Sequence, residues 1–289
     1  MEQSKLGAFG GGAVIGALGG LIGLGGAEFR LPLLIGTFGF AALEAIILNK
    51  AMSLVVVASA LPFRAGTVPL DAMMEHGGVI LNLLAGSLLG AWIGAGWAIR
   101  LKTKTLYRVI AVLLVAIALL LLAGHNPVGK GPPAFSGTAH VIIGVVAGFG
   151  IGVVASLLGV AGGELLIPTL VLLFGTDIKL AGSLSLAVSL PTMLTGFTRY
   201  STDKSFAVLG KNRGFVLVMA AGSLFGAFLG GQLLGIVPGA VLLPFLTVIL
   251  VISGGENLAS WIMIQPFAMV YPLALPFYAV TLDKSERKV

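Results

Sequence analysis

The segment GLGGAEFRLP, Gly23–Pro32, decides the fold of this chain because a second copy of it follows later in the sequence. That copy is GVAGGELLIP, Gly159–Pro168, and an offset of 136 positions, from Gly23 to Gly159, aligns the two without a gap. Glutamate falls on glutamate and proline on proline in this one register, which scattered glycine and leucine matches would not produce. Self-similarity at a fixed offset predicts two copies of one structural unit.

The same register extends well beyond the motif. AGSLLGAWIG, Ala85–Gly94, falls on AGSLFGAFLG, Ala221–Gly230, and seven of the ten positions are identical. We therefore expect a first transmembrane repeat over 1–123, a connecting loop over 124–138, a second repeat over 139–256, and an additional C-terminal helix with a charged tail over 257–289.

Composition indicates that lipid is the main solvent of this protein. Apolar residues make up 57% of the 289 positions and charged residues 10%, and the mean hydropathy is +1.08. Crossing the bilayer takes roughly 20 apolar residues in a helix. We expect an all-α, multi-pass protein of the inner (plasma) membrane with apolar spans at Phe9–Phe38, Ala42–Phe63, Gly77–Ile99, Leu106–Ala123, Ala139–Phe174, Ala181–Phe197, Gly214–Leu234, Ala240–Ile252 and Leu258–Leu282.

The charge pattern excludes several classes of function. The net charge is +6, but the Lys and Arg residues are dispersed through short connections and the two ends, which fits cytoplasmic loops better than a nucleic-acid face. The chain has no Cys, its three His lack metal-ligand spacing, and phosphate-binding, nucleotide-binding and nucleophile motifs are missing from the sequence. We expect no metal, no cofactor, no nucleic-acid partner and no enzymatic activity.

The relative orientation of the two repeats depends on how the glycine-interrupted first span of each unit is counted. If that span crosses the membrane once, the copies are parallel. If it enters and returns as a re-entrant hairpin, the copies are inverted. Cytoplasmic loops carry an excess of Lys and Arg, and counting these residues on each side of the membrane favours the inverted arrangement with the N-terminus in the cytoplasm.

The repeated motif predicts a broken helix in each unit. Glycine weakens a helix by about 1 kcal/mol relative to Ala, and proline removes a backbone donor. Broken helices at membrane depth are tolerated where protein buries them or where they line a wet cavity. Their exposed N–H groups would favour an anion, although a tight helix crossing that needs small residues explains the glycines equally well. The expected break residues are Gly23, Pro32, Gly159 and Pro168, and the expected anion-binding glycines are Gly25, Gly26, Gly162 and Gly163.

Glu28 and Glu164 place one carboxyl group in each break. An ionisable residue inside a membrane segment is costly and therefore a functional candidate. Desolvation would suit the pair to proton coupling, which makes both residues candidates for that function. Alternatively, each carboxylate caps the following half-helix, or Glu28 pairs with Arg30.

Two basic residues lack counterparts in the other copy, since Arg30 aligns with Leu166 and Lys50 with Leu186. A symmetric fold needs neither cation, which makes both candidates for binding an anionic substrate. The forked donors of Arg suit an oxyanion, whereas Lys acts as a point charge. Each could instead snorkel towards the headgroups or neutralise a nearby Glu.

Small polar residues occupy equivalent positions on the second helix of each unit. Asn49 and Ser53 are spaced i, i+4 and share a helix face, and they align with Ser185 and Ser189. They could flank a substrate or could simply join helices. The stripe Gly86, Gly90 and Gly94 recurs in the second copy and predicts close helix packing, within one chain or between chains of a homo-oligomer.

At the paired glycine motif followed by Pro, the sequence resembles the TauE/SafE family of sulfite exporters. The resemblance runs from about Phe9 to Gly254 and includes the FRAG segment, Phe63–Gly66, and the TRYST segment, Thr198–Thr202. It implies export of sulfite, sulfonates or related small anions, driven by an ion gradient. The final span Leu258–Leu282 departs from the usual pattern of the family.

The repeats and their broken helices thus predict a secondary transporter that moves a small anion by alternating access, with Glu28 and Glu164 as candidates for proton coupling. The resemblance implies that the anion is sulfite or an organosulfonate such as sulfoacetate and that it is exported. An anion channel of the same fold is the alternative, since it would have the same breaks without needing coupling carboxylates.

Overall fold

Helices form all the regular structure that is described in this computed structural model, which covers residues 5–22, 26–64, 70–123 and 137–233. A short 3-10 helix covers Lys204–Phe206. The α-helices are α1 Lys5–Ile22, α2 Ala27–Gly36, α3 Ala42–Arg64, α4 Leu70–Glu75, α5 Gly77–Arg100, α6 Thr103–Ala123, α7 Gly137–Leu158, α8 Gly163–Phe174, α9 Ile178–Tyr200, α10 Ala207–Lys211 and α11 Arg213–Leu233.

Within the described ranges, 5 helices are long and apolar enough to cross a membrane. At 1.5 Å per residue, roughly 20 residues span the ~30 Å hydrocarbon core. The expectation of a multi-pass helical membrane protein is therefore supported, whereas the spans predicted at Ala240–Ile252 and Leu258–Leu282 lie outside the described residues. The five segments are Ala42–Ala60, Gly77–Arg100, Gly137–Leu158, Leu180–Tyr200 and Arg213–Gln232.

The helix boundaries repeat with the register of the sequence. α2 begins at residue 27 and α8 at residue 163, 136 positions later, and α3 and α9 match at both ends with the same offset. α5 and α11 begin at residues 77 and 213, again 136 apart. The two halves of the chain therefore consist of equivalent elements.

α3 and α9 lie at the centre of the molecule. Inside the protein, 67% of the α3 span and 61% of the α9 span are buried, against 39% for the spans of α5 and α11. The side chains of Asn49, Lys50 and Ser53 on α3 and of Ser185 and Ser189 on α9 are accordingly buried.

The glycine stripes pack one repeat against the other. Gly86 and Gly90 of α5 lie directly against the carbonyl oxygens of Val145 and Phe149 on α7. In the reciprocal contact between α11 and α1, Gly222 and Gly226 lie against the carbonyls of Phe9 and Ala13, and a Cβ at any of the four would overlap the partner backbone. The predicted packing surface is thus an interface between the two halves of one chain.

The order of these contacts gives the relative direction of the helices. Along α1, Gly12, Gly16 and Gly20 meet Met219, Ser223 and Ala227 in turn, so α1 and α11 run the same way. α5 and α7 also run the same way, by the contacts given above.

The half-helices α2 and α8 pack back along the helices that precede them. Gly26, at the start of α2, lies beside Ile15, whereas Leu33 lies beside Gly11 nearer the start of α1. In the second repeat, Gly162 lies beside Ile151 and Phe174 lies beside Gly144, in the same order.

Candidate functional site

Each half-helix is preceded by a glycine with left-handed backbone. Gly26 (φ 67°) precedes α2 and Gly162 (φ 81°) precedes α8, a conformation that residues with a Cβ rarely adopt. Pro32 and Pro168 were expected to take part in the breaks but lie inside α2 and α8, beyond the first turn. The helices are interrupted at the glycines because these, unlike the prolines, occupy the turn itself.

The second break packs on the central helix of the first repeat. Gly159 (φ 68°) lies against the carbonyl oxygen of Ile46 on α3, where a Cβ would overlap it. Gly163 begins α8 and is buried. Gly23 and Gly25, two of the glycines predicted for the first break, lie outside the described residues.

Arg30 is fully buried in α2, where its guanidinium joins the two repeats. Nη1 donates to Ser53 Oγ over 2.9 Å and to Asn49 Oδ1 over 3.4 Å, both on α3, and Nη2 donates to Ser223 Oγ on α11 over 3.2 Å. Nε is buried and has no hydrogen-bond partner among the described residues. A buried guanidinium is thus held by neutral oxygens, and its Nε–H remains without a partner among the described residues.

Asn49 links the guanidinium to the first turn of α2. Its Nδ2 donates to the carbonyl oxygen of Ala27 over 2.9 Å, while its Oδ1 faces Arg30. The Asn49 and Ser53 pair that the sequence placed on one helix face does face the broken helix of its own repeat.

The equivalent residues of the second repeat are arranged differently. Ser189 Oγ donates to the carbonyl oxygen of Ala161, just before α8, over 2.7 Å. Ser185 Oγ donates within its own helix to the Gly182 carbonyl over 2.8 Å. Leu166 replaces Arg30 here, so Ser185 has no guanidinium to accept from.

Lys50 lies in a second polar cluster that also joins the repeats. Its side chain is 1% exposed, and Nζ donates to Ser156 Oγ on α7 over 3.3 Å. Nζ also lies 5.7 Å from the ring centroid of Tyr200, whose hydroxyl donates to the Ser156 carbonyl over 2.6 Å. Gly196 leaves the space for the ammonium, since a Cβ there would come within 2.8 Å of Nζ.

Glu28 and Glu164 meet between the two half-helices. Both are buried, with 1% and 2% of their surfaces exposed. The two carboxyl groups lie close enough to interact with each other, and Glu28 also interacts with Arg30. No other described residue gives their oxygens a hydrogen bond. The paired breaks therefore bring the two carboxyl groups into one place.

Several residues of the site were missed from sequence. Ser223 occupies the position in the second repeat that Ser87 occupies in the first, and Ser87 Oγ is 2.7 Å from Thr192 Oγ1. Both serines lie in the matched AGSL segments, where a repeated hydroxyl within a glycine stripe could have indicated a polar contact between helices. Ser156 and Tyr200 have no repeat-related hydroxyl to mark them, since they align with Gly20 and Arg64.

The described residues contain no group of three or more His, Cys, Asp or Glu side chains that could hold a metal ion. His140 Nε2 is instead 2.9 Å from the Leu173 carbonyl oxygen, at the end of α8.

Comparison with known proteins agrees with this architecture. Residues 8–256 match the family described as "Sulfite exporter TauE/SafE". A relative from Bacillus subtilis (strain 168), the "Probable membrane transporter protein YunE", is 23% identical over 241 residues, which cover 77% of this chain and 85% of the relative. No solved structure matches the chain. With the family match spanning both repeats and both broken helices, the chain belongs to the TauE/SafE sulfite exporter family.

Proposed function

We propose that this protein is a secondary transporter that exports a small sulfur-containing anion, sulfite or an organosulfonate such as sulfoacetate, across the inner (plasma) membrane. The family and the curated relative support a role in membrane transport. The description of the family as sulfite exporters supports the choice of anion and the direction.

The observation that carries the proposal is the buried guanidinium of Arg30. A buried charge is expensive unless it is paired, and hydroxyl and amide oxygens compensate it only in part. An oxyanion of sulfur would accept charge-assisted hydrogen bonds from the planar fork of donors and would match its geometry. The unused Nε marks a position where a further acceptor gains a charge-assisted hydrogen bond.

The surroundings of Arg30 fit an anion site. The N-terminal turns of α2 and α8 direct backbone N–H groups and positive dipole ends towards the breaks. In this proposal the substrate lies between Gly26 and Gly163 near Arg30, and Asn49 and Ser53 act as polar contacts. The other members of the proposed site are Gly25, Lys50, Gly162, Ser185 and Ser189.

An inverted pair of repeats is part of the proposal. The reversal at each break supports a re-entrant hairpin, and the contacts between the repeats support opposite directions for α3 and the end of α7. Ser156 of α7 lies by Lys50, whereas Gly159, three residues later, lies by Ile46, earlier on α3. Inverted repeats with broken helices are a common plan of secondary transporters, whose binding sites lie at the repeat interface.

The same contacts support alternating access as the transport mechanism. Arg30 reaches from one repeat to Ser223 of the other, and Lys50 reaches likewise to Ser156. Rocking of one repeat against the other would change both contacts, so an anion that binds Arg30 would bias the equilibrium between the two orientations.

Uptake into proteoliposomes tests the proposed function. Purified protein is reconstituted, and the influx of radiolabelled sulfite, sulfate, taurine and sulfoacetate is measured with the same unlabelled anion trapped inside. The expected result is saturable exchange of sulfite or of a sulfonate. Flux that rises linearly with concentration and shows no acceleration by trapped anion would contradict a transporter and support the anion channel, and the absence of flux for all four would contradict the choice of substrate.

A further inference from the structure

The carboxyl groups of Glu28 and Glu164 form a joint site, because each break supplies one of them. Both side chains are at least 98% buried, and the two groups interact with each other. Neither receives a hydrogen bond from another described residue. Two neighbouring carboxylates repel each other strongly in a medium of low dielectric constant. The site is therefore incomplete unless something positive lies between the two groups.

The neighbouring charges leave the site one positive charge short. Arg30 interacts with Glu28 and offsets one of the two negative charges. Among the described side chains, the other charged groups on the helices packed around α2 and α8 have different surroundings. Lys50 contacts Ser156 and Tyr200, Arg199 lies over the Trp92 ring, and Glu44 is in the first turn of α3 beside Tyr107. Lys5, Lys104, Arg108 and Arg213 lie near helix ends. Two carboxylates and one guanidinium sum to a single uncompensated negative charge.

Resting on the proposed function, we infer that Glu28 and Glu164 together bind one proton, and that this shared proton is the coupling ion of transport. A proton needs only the two interacting carboxyl groups, which it joins by a hydrogen bond. A sodium ion would require a shell of several oxygen ligands in addition, whereas the proton requires none.

A shared proton gives the two breaks a common function. With the proton bound, the carboxyl pair holds α2 and α8 together across the repeat interface. After the proton leaves, the two negative charges repel and favour separation of the half-helices. Because Glu28 also interacts with Arg30, loss of the proton strengthens the competition between Glu28 and the anion for the guanidinium. The proton and the anion are thereby coupled through one side chain.

The test uses Glu28→Gln and Glu164→Gln. A Gln amide donates a hydrogen bond to the remaining carboxylate, so either single variant imitates the protonated pair and preserves packing. Glu75→Gln, at an exposed position of α4, is the matched control. Sulfoacetate is the preferred substrate among those exchanged, because its sulfonate group takes up no proton near neutral pH.

Three readouts are taken in reconstituted protein: sulfoacetate exchange without a gradient, accumulation driven by a pH gradient, and proton movement reported by a trapped pH-sensitive dye. Each Gln variant is expected to retain exchange to within about threefold, and to lose accumulation and the proton signal at least tenfold. Glu75→Gln should resemble wild type. Persistence of proton-driven accumulation in either Gln variant, or accumulation driven by a sodium gradient alone, would overturn the inference.

An infrared titration separates this inference from the proposed function, because it needs no transport. The wild-type protein in lipid is expected to show one protonated-carboxyl C=O band that disappears as pH rises, and the band should be missing from both Gln variants but present in Glu75→Gln. A band that survives in either Gln variant overturns the shared proton even if the anion is transported. If the band behaves as expected but no anion moves, the shared proton stands and the proposed transport function fails.

Discussion

Nη2 of Arg30 donates a hydrogen bond over 3.2 Å to Oγ of Ser223, a residue 193 positions later in the chain. The bond joins a half-helix of the first repeat to α11, the last described helix of the second. It is therefore the contact through which relative movement of the repeats would reach the buried guanidinium.

Replacing Ser223 by Ala should weaken anion binding. A hydrogen bond to a charged group contributes about 1.5–3 kcal/mol, and its loss leaves the guanidinium less well oriented. We expect Ser223→Ala to raise KM for the transported anion about tenfold, which corresponds to about 1.4 kcal/mol. The repeat-related Ser87→Ala is the control, because Ser87 contacts Thr192 instead of an arginine. Equal KM values for the two variants would contradict a role for the Arg30–Ser223 contact.

Replacing Asn49 by Ala should have a larger effect on stability and transport than replacing Ser185, its equivalent in the second repeat. Asn49→Ala removes a donor from the Ala27 carbonyl and an acceptor from Arg30, so we expect a loss of about 1–3 kcal/mol in the free energy of unfolding and a marked loss of transport. Ser185→Ala removes a bond within α9 and should change stability by less than about 0.5 kcal/mol. Thermal unfolding in detergent, combined with uptake, checks both. Similar behaviour of the two would argue against an asymmetric site.

The interface between the repeats should be sensitive to a single methyl group. A Cβ at Gly152 of α7 would overlap the Ser87 carbonyl on α5, whereas Gly150 of the same helix has nothing within 4 Å. Gly152→Ala should therefore lower stability by about 1–3 kcal/mol, and Gly150→Ala should leave it unchanged or raise it by up to about 1 kcal/mol through helix propensity. The unfolding midpoints of the two variants measure the difference. A stable Gly152→Ala protein would mean that α5 and α7 pack less closely than described.

Lys50 can be tested by removing its charge and keeping its length. Replacing a buried ammonium by an apolar chain is often neutral or stabilising, so Lys50→Met should fold at least as well as wild type. If Lys50 helps to attract the anion, KM should rise about tenfold, the equivalent of about 1.4 kcal/mol. Lys102→Met, at an exposed position between α5 and α6, is the control. An unchanged KM in Lys50→Met would remove Lys50 from the binding site.

The division of the chain into two equivalent helical units could be predicted from the sequence because the two halves align at a single offset without a gap. The matching ends of α3 and α9 and the paired breaks follow from the offset between Gly23 and Gly159. The placement of Asn49 and Ser53 on the face towards the break follows from helical spacing. These features depend on local pattern, which a sequence contains.

Contacts between the repeats were harder to predict. Ser223 meets Arg30 because α11 packs along α1, and no periodicity within α2 or α11 specifies that pairing. Pro32 was expected in the break, but it lies inside α2, where it removes one backbone donor without ending the helix. The meeting of Glu28 with Glu164 likewise depends on how the two half-helices are juxtaposed.

The most direct test of the central claim compares Arg30→Ala and Arg30→Lys with Arg100→Ala, which removes an exposed arginine at the end of α5. Saturable anion exchange into proteoliposomes is measured for each variant, with thermal unfolding to verify the fold. We predict that Arg100→Ala exchanges like wild type, that Arg30→Lys retains a small fraction of the activity with a raised KM, and that Arg30→Ala loses exchange. Wild-type KM and rate in folded Arg30→Ala protein would contradict the account, because the anion would then bind elsewhere.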